Sequence, residues 1–227
     1  MTTDDVRRLA LIHTVAGLVP RFRELAAELM PEVETFDIVD ETLLRDATRE
    51  GRVSLDTARR LFAHLAAAER HGADAVLVTC SSVGGVVDAA RPFAGVPLLR
   101  VDQAMAEQAV QRGTRIGVLA TLWSTLRPTA VLIERTARES DRQVEVRDRL
   151  CDGAFEALRE GDTERHDELV REGLRELIGW AEVVVLAQAS MARVVDSLSE
   201  DERRTPILSS PRLGMERMRD ILASPNP

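Results

Sequence analysis

Short apolar runs alternate along the chain with longer stretches in which apolar residues recur every three to four positions. The runs suit strands buried on both faces and the longer stretches suit amphipathic helices, so the alternation predicts an α/β fold with parallel sheets and crossover helices. Strands are predicted over residues 9–14, 33–39, 75–79, 97–101, 115–120, 144–146, 183–187 and 206–208. Helices are predicted over 20–30, 55–71, 103–112, 125–140, 163–180 and 212–223. The second of these shows the stripe clearly: Ala58, Leu61, Phe62 and Leu65 share one face, and Arg59, Arg60 and Glu69 lie elsewhere. The charged stretch 147–153 reads as a loop, and the acidic and basic runs over 156–176 read as a solvated helix face.

The pattern also repeats. Arg8-Leu-Ala-Leu-Ile-His-Thr14 resembles Arg115-Ile-Gly-Val-Leu-Ala-Thr121; Ala73-Asp74 with its apolar strand resembles Ala181-Glu182 with its own; Val96-Pro97-Leu98-Leu99 resembles Thr205-Pro206-Ile207-Leu208. All three pairs are offset by about 107 to 109 residues, a spacing that unrelated strands would not share. The expectation is two similar parallel-sheet halves related by a pseudo-twofold, the first 1–112 plus 205–227 and the second 113–204, with the C-terminal strand and helix returning to the first half. Ligands of open parallel sheets bind beyond the carboxyl ends of the strands, so a small cleft between the two sets of strand ends is the expected site. The offset sets Thr14 against Thr121 and Cys80 opposite Gln188.

Composition narrows the chemistry. All 30 basic residues of the 227 are arginine, with no lysine and no tyrosine. Lysine Schiff-base chemistry is therefore excluded, as is a phosphate loop that needs its lysine, and no Gly-rich dinucleotide fingerprint follows a strand. Two cysteines, Cys80 and Cys151, cannot form a disulfide framework or a cysteine zinc site, and His13, His64, His71 and His166 lack metal-ligand spacing. No cofactor and no metal are expected. A net charge of -8 argues against nucleic acid as a partner. No apolar run approaches a membrane span, and Met1–Asp5 is acidic where a secretory leader is basic, so a cytoplasmic protein is expected.

Cys80 follows an apolar strand and precedes Ser81, Ser82, Val83, Gly84 and Gly85. A thiol at such a strand-to-helix turn either is held as a reactive thiolate by nearby N–H groups or packs as a small buried hydrophobe. Ser124 and Thr125 open a helix after the strand ending at Ala120, where they could cap it or bind a carboxylate. Ser190 follows Gln188 at the corresponding end of the second half. His13 ends the first strand and reads as a core or capping histidine; Cys151 reads as incidental. Arg100, Arg127 and Arg193 lie near strand ends and could pair with a second carboxylate, or could be surface residues.

The segments Asp74-Ala-Val-Leu-Val-Thr79-Cys80-Ser81-Ser82, Ile116-Gly-Val-Leu-Ala-Thr121 with Ser124-Thr125, and Val183-Val-Val-Leu-Ala187-Gln-Ala-Ser-Met191, together with the doubled architecture, resemble the aspartate/glutamate/hydantoin racemase superfamily. The resemblance covers nearly the whole chain. It implies cofactor-independent carbon-acid chemistry on a small carboxylate, in which two cysteines, one from each half, act from opposite faces. It implies Cys80 as the catalytic thiol, with Thr14, Ser81, Ser82, Thr121, Ser124, Thr125, Gln188 and Ser190 binding the substrate, and a homodimer as the family-level expectation. One departure stands out: Gln188 occupies the place of the family's second cysteine. An amide cannot exchange protons at neutral pH but can hydrogen-bond a carboxylate or polarise a carbonyl. Two-thiol racemisation is thus put in question. Isomerase-type chemistry with Cys80 leads the readings, a single-cysteine decarboxylase or hydrolase is the alternative, and a non-catalytic carboxylate-binding protein is a third.

Overall fold

A computed structural model describes residues 6–195 and 197–224; the acidic first five residues lie outside these. Two compact units result, one running to Val101 and resuming at Pro211, the other covering Asp102–Ser210.

The first unit holds β1 (Arg8–His13), β2 (Glu34–Val39), β3 (Ala75–Val78) and β4 (Leu98–Arg100) in a parallel sheet ordered β2-β1-β3-β4. Alternate residues leave opposite faces, as the pleat requires. Ala10, Ile12, Val76 and Val78 pack with Leu61 and Leu65, whereas Leu9, Leu11, Ala75 and Leu77 pack with Phe22 and Leu25. The helices of this unit are α1 (Val19–Leu29), α2 (Glu41–Glu50), α3 (Leu55–Arg70) and α4 (Gly84–Ala90).

The second unit begins with α5 (Gln103–Arg112) and holds β5 (Arg115–Ala120), β6 (Glu145–Leu150), β7 (Val183–Leu186) and β8 (Ile207–Ser209), ordered β6-β5-β7-β8, again parallel. Its other helices are α6 (Trp123–Glu139), α7 (Ala154–Glu160), α8 (Thr163–Ile178) and α9 (Ala192–Val195). Leu119, Val184 and Leu186 pack with Val170, Leu174 and Leu177 of α8. Helix α10 (Ser210–Ala223) then sets Met215, Met218 and Leu222 into the first unit's core beside Leu99 and Val101. Gly214 permits that approach, since a Cβ there would lie 2.9 Å from the Val101 carbonyl oxygen.

Several elements differ from the sequence pattern. The final strand does not return to the first half: β8 pairs with β7, in the role β4 plays beside β3, and only the helix crosses back. The stretch 147–153 is mostly strand, because β6 continues to Leu150 as a sheet-edge strand on which Glu145, Arg147 and Asp148 are exposed. Helix α2 buries only Leu43 and Ala47, too few for a legible stripe, and is set by Asp40 at its N-cap and by Gly51, left-handed at φ 64°, after its last turn. Helix α4 begins in a Gly-Gly pair of poor helix propensity. The run 156–176 is broken by Gly161 at φ 85° and Asp162, which caps α8 by accepting from Arg165 N at 2.9 Å; within it His166 is fully buried. Among the described residues no helix is long and apolar enough to cross a membrane.

Candidate functional site

In the first unit the chain leaves β1 at Thr14 and β3 at Thr79, neighbouring positions because β1 and β3 pair. Cys80 is the extended residue that starts the 3-10 turn Ser81–Val83, and Thr14, Ser81 and Ser82 are buried with it. Its Sγ receives the Thr14 hydroxyl, the backbone N–H groups of Ser82 and Val83, and the Ser82 hydroxyl. Burial nevertheless outweighs these donors and pushes the thiol above its ordinary value. Of the two states open to a thiol at such a turn, the thiolate is therefore not the resting form. Desolvation of an anion here exceeds what four hydrogen bonds return, so the group rests as a protonated acid surrounded by donors that would receive the charge once the proton leaves.

Behind Cys80 lies a polar relay. Thr79 Oγ1 is 2.9 Å from His13 Nδ1, and His13 Nε2 is 3.0 Å from Asp37 Oδ1, which Arg23 pairs from the other side at 2.7 Å. Burial pushes the His13 pKa down, against the pull of Asp37. A neutral imidazole has one N–H, and the carboxylate can only accept, so Nε2 donates to Asp37 and Nδ1 accepts from Thr79. Asp37 had no place among the sequence-predicted site residues; its one signal was a lone acid inside the apolar run Phe36-Asp37-Ile38.

Arg100 is likewise not a ligand-facing cation. It is buried, its Nη1 lies 2.9 Å from Asp88 Oδ2, and its guanidinium lies under Gly84, where a Cβ would fall 2.3 Å from Cζ. It supports the backbone that follows the Cys80 turn. Arg127 is exposed on α6, and Arg193 is committed to Asp167 at 2.8 Å.

In the second unit Thr121 and Gln188 are joined directly. Thr121 N donates to Gln188 Oε1 at 2.6 Å, and Gln188 Nε2 donates to Thr121 Oγ1 at 2.7 Å. Gln188 starts the 3-10 turn Ala189–Met191, as Cys80 starts its own, and Ser190 sits partly buried in that turn. Ser124 and Thr125 do not cap α6. The extended cap residue is Leu122, at φ -138° and ψ 135°, so both hydroxyl residues lie inside the first turn.

Cys151 also proves to stand at a strand end, directly after β6, because the strand runs further than its apolar residues suggest. Its N–H donates to Ala120 O at 2.8 Å, just as Asp40 N donates to His13 O at 2.9 Å, so it is the counterpart of Asp40 and not of Cys80. Burial pushes its thiol up to about 11, with Glu176, Glu172 and Asp152 adding to the rise.

These features have a known setting. None of the curated proteins matches the chain. Among solved structures it is similar to glutamate racemase isoform RacE1 of Bacillus anthracis, at 19% identity and a TM-score of 0.74, covering 95% of this chain and 81% of that one. It is similar to allantoin racemase of Klebsiella pneumoniae, at 19% identity and a TM-score of 0.65, covering 96% and 88%. It is similar also to Picrophilus torridus aspartate racemase, at 13% identity and a TM-score of 0.68, covering 94% of each chain. At these identities the likeness is one of fold. The family profile goes further: the Asp/Glu/hydantoin racemase profile matches residues 12–218, and the chain belongs to that family of racemase and isomerase enzymes.

Proposed function

We propose that the protein is a cofactor-independent isomerase-type enzyme that works at a carbon acid of a small carboxylate, with Cys80 as its proton-exchanging group. The observation that carries this reading is the protonated Cys80 thiol with the Thr14 hydroxyl, two N–H groups and the Ser82 hydroxyl directed at its sulfur. A thiol of that kind can deliver a proton to a carbanion, and the same four donors then hold the resulting thiolate. In the reverse direction the thiol first gives its proton to solvent, and the thiolate so formed removes the α-proton and becomes the thiol again.

Gln188 does not transfer protons in this reading, because an amide neither gains nor loses a proton near neutral pH, and its Oε1 and Nε2 are each engaged with Thr121. That closed pair also supports a second reading, a single-thiol lyase, in which loss of carbon dioxide creates the carbanion that Cys80 protonates. Deuterium incorporation in heavy water separates the two. The isomerase reading expects solvent deuterium at the α-carbon of recovered substrate, lost in Cys80→Ser; the lyase reading expects deuterium only in a decarboxylated product. Incorporation that survives Cys80→Ser overturns both.

A further inference from the structure

We infer that Glu41 is a specificity-determining residue, which excludes a second carboxylate from the first unit's strand ends and so restricts the enzyme to monocarboxylates whose far end is neutral. The inference rests on the proposed role of Cys80 and names the substrate class for it. Its starting point is a backbone group already occupied by the protein itself: Ala16 N donates to Glu41 Oε1 at 3.0 Å. Ala16 opens the 3-10 turn Ala16–Leu18 that leads into α1, and neither that turn nor α1 has an acidic residue in its first turn or a side-chain cap. This bond fixes where the Glu41 carboxylate of α2 stands.

The contact belongs to the same edge of the sheet as Cys80. Ala16 lies two residues beyond Thr14, hence within about 7 Å along the chain, and Thr14 bonds the Cys80 sulfur. Helix α2 packs against the turn Ser81–Val83, and its Leu43 shares an apolar cluster with Cys80 and Val83. The neighbouring charges do not cancel Glu41. Asp37 is balanced by Arg23, and Asp40 is bonded by His64 at 2.9 Å and lies 4.0 Å from Arg60, which is itself drawn to Asp46 at 2.6 Å. Glu41 is exposed and has no cationic partner among the described residues. A dicarboxylate reaching this loop would meet a fixed like charge and a donor already taken, whereas an amide of the same shape would meet only an acceptor for its NH₂.

The test uses two pairs that differ only in the charge of the far group: asparagine against aspartate, and glutamine against glutamate. Calorimetric titration of the full chain is expected to show the amide of each pair binding at least about tenfold more tightly, a like-charge penalty of ordinary size. Glu41→Gln keeps the shape and the acceptor oxygen and removes the charge, so the preference should shrink at least about fivefold. Glu41→Ala should shrink it in the same direction even if one variant is poorly folded. Equal binding within each pair by the unmodified protein overturns the inference, as does an unchanged preference in both variants or a failure of both amides to bind. Binding needs no turnover, which keeps the two proposals apart. Amide preference without Cys80-dependent deuterium exchange would leave Glu41's role standing and sink the isomerase reading; exchange on aspartate as fast as on asparagine would do the reverse.

Discussion

Thr14 meets a thiol where Thr121 meets an amide. Each threonine follows the first strand of its unit, and each partner, Cys80 or Gln188, starts the 3-10 turn after the third. In the first unit the hydroxyl supports a sulfur that backbone N–H groups also reach. In the second the amide closes on Thr121 through two short bonds, one at its oxygen and one at its nitrogen. The divergence continues one residue past each turn. Gly84 lies over Arg100 of β4, whereas its counterpart is Ala192 and the residue paired as Arg100 is paired is Ser209. A duplicated topology thus fixes where a group stands without fixing its chemistry, and at the start of this turn the first unit has a titratable group where the second has an amide.

The largest expected effect falls on the thiol. Cys80→Ala should lower turnover by about 10²–10⁴-fold, the usual worth of a positioned acid or base, while the far-ultraviolet circular dichroism stays that of the parent. Turnover within about twofold of the parent, a change of under half a kcal/mol in the barrier, would show that the two units do not differ in the way argued.

Next come the supports of the turn. Arg100→Ser copies the second unit and removes the buried cation from Asp88, whose ion pair with Arg91 at 3.2 Å is kept. Urea unfolding should show a loss approaching the ~3–5 kcal/mol of a broken buried pair. Gly84→Ala alone should cost about 1–3 kcal/mol through overpacking against the guanidinium. In the Arg100→Ser background the alanine should be tolerated, as Ala192 is beside Ser209, giving a coupling of roughly 1–2 kcal/mol in a double-mutant cycle. Strict additivity would break the comparison.

Gln188→Ala removes two hydrogen bonds and exposes the Thr121 groups, for a loss of about 1–3 kcal/mol in unfolding free energy. Gln188→Cys is the sharper variant, since it places a titratable group at the counterpart of Cys80. Weak inversion with deuterium entering both enantiomers of a substrate is expected, measured by chiral chromatography in heavy water. Efficient inversion by the unmodified protein would mean that some other residue already supplies the second proton.

Much of this was legible in the sequence, and the exceptions have physical causes. The fold follows from strands such as Val183–Leu186 and Ala75–Val78, whose apolar runs need burial on both faces, and the doubling follows from the constant offset. Cys80, Thr14, Thr121 and Gln188 could be paired because equivalent strand ends recur at that offset. What stayed hidden depends on partners distant in sequence. Nothing near Asp37 in the chain announces His13, nothing near Glu41 announces Ala16, and Arg100 reads as an available cation until Asp88 and Gly84 are seen against it. The thiol's raised pKa was equally invisible, because adjacent serines and glycines suggest donors while the burial that outweighs them is a property of the folded chain.

Cys151 offers the smallest effect and the cleanest control on the comparison. It is the other strand-end thiol, but it follows the edge strand β6, where the first unit has Asp40. Cys151→Ala should leave turnover within about twofold of the parent. Its signature lies in alkaline stability. A thiol raised from 9.0 to about 11 in the folded protein binds a proton there that the unfolded chain has already lost. Its contribution is therefore complete below pH 9 and disappears as the pH rises toward 11, a loss of about 2–3 kcal/mol from a two-unit shift. Chemical unfolding from pH 7 to 11 should show this fall in the parent and a shallower one in Cys151→Ala. Some fall should persist, because the Cys80 thiol is raised as well and loses stability in the same direction. If turnover collapses in Cys151→Ala while its folding is intact, the chemistry belongs to the edge strand of the second unit, and the contrast between Cys80 and Gln188 is the wrong one.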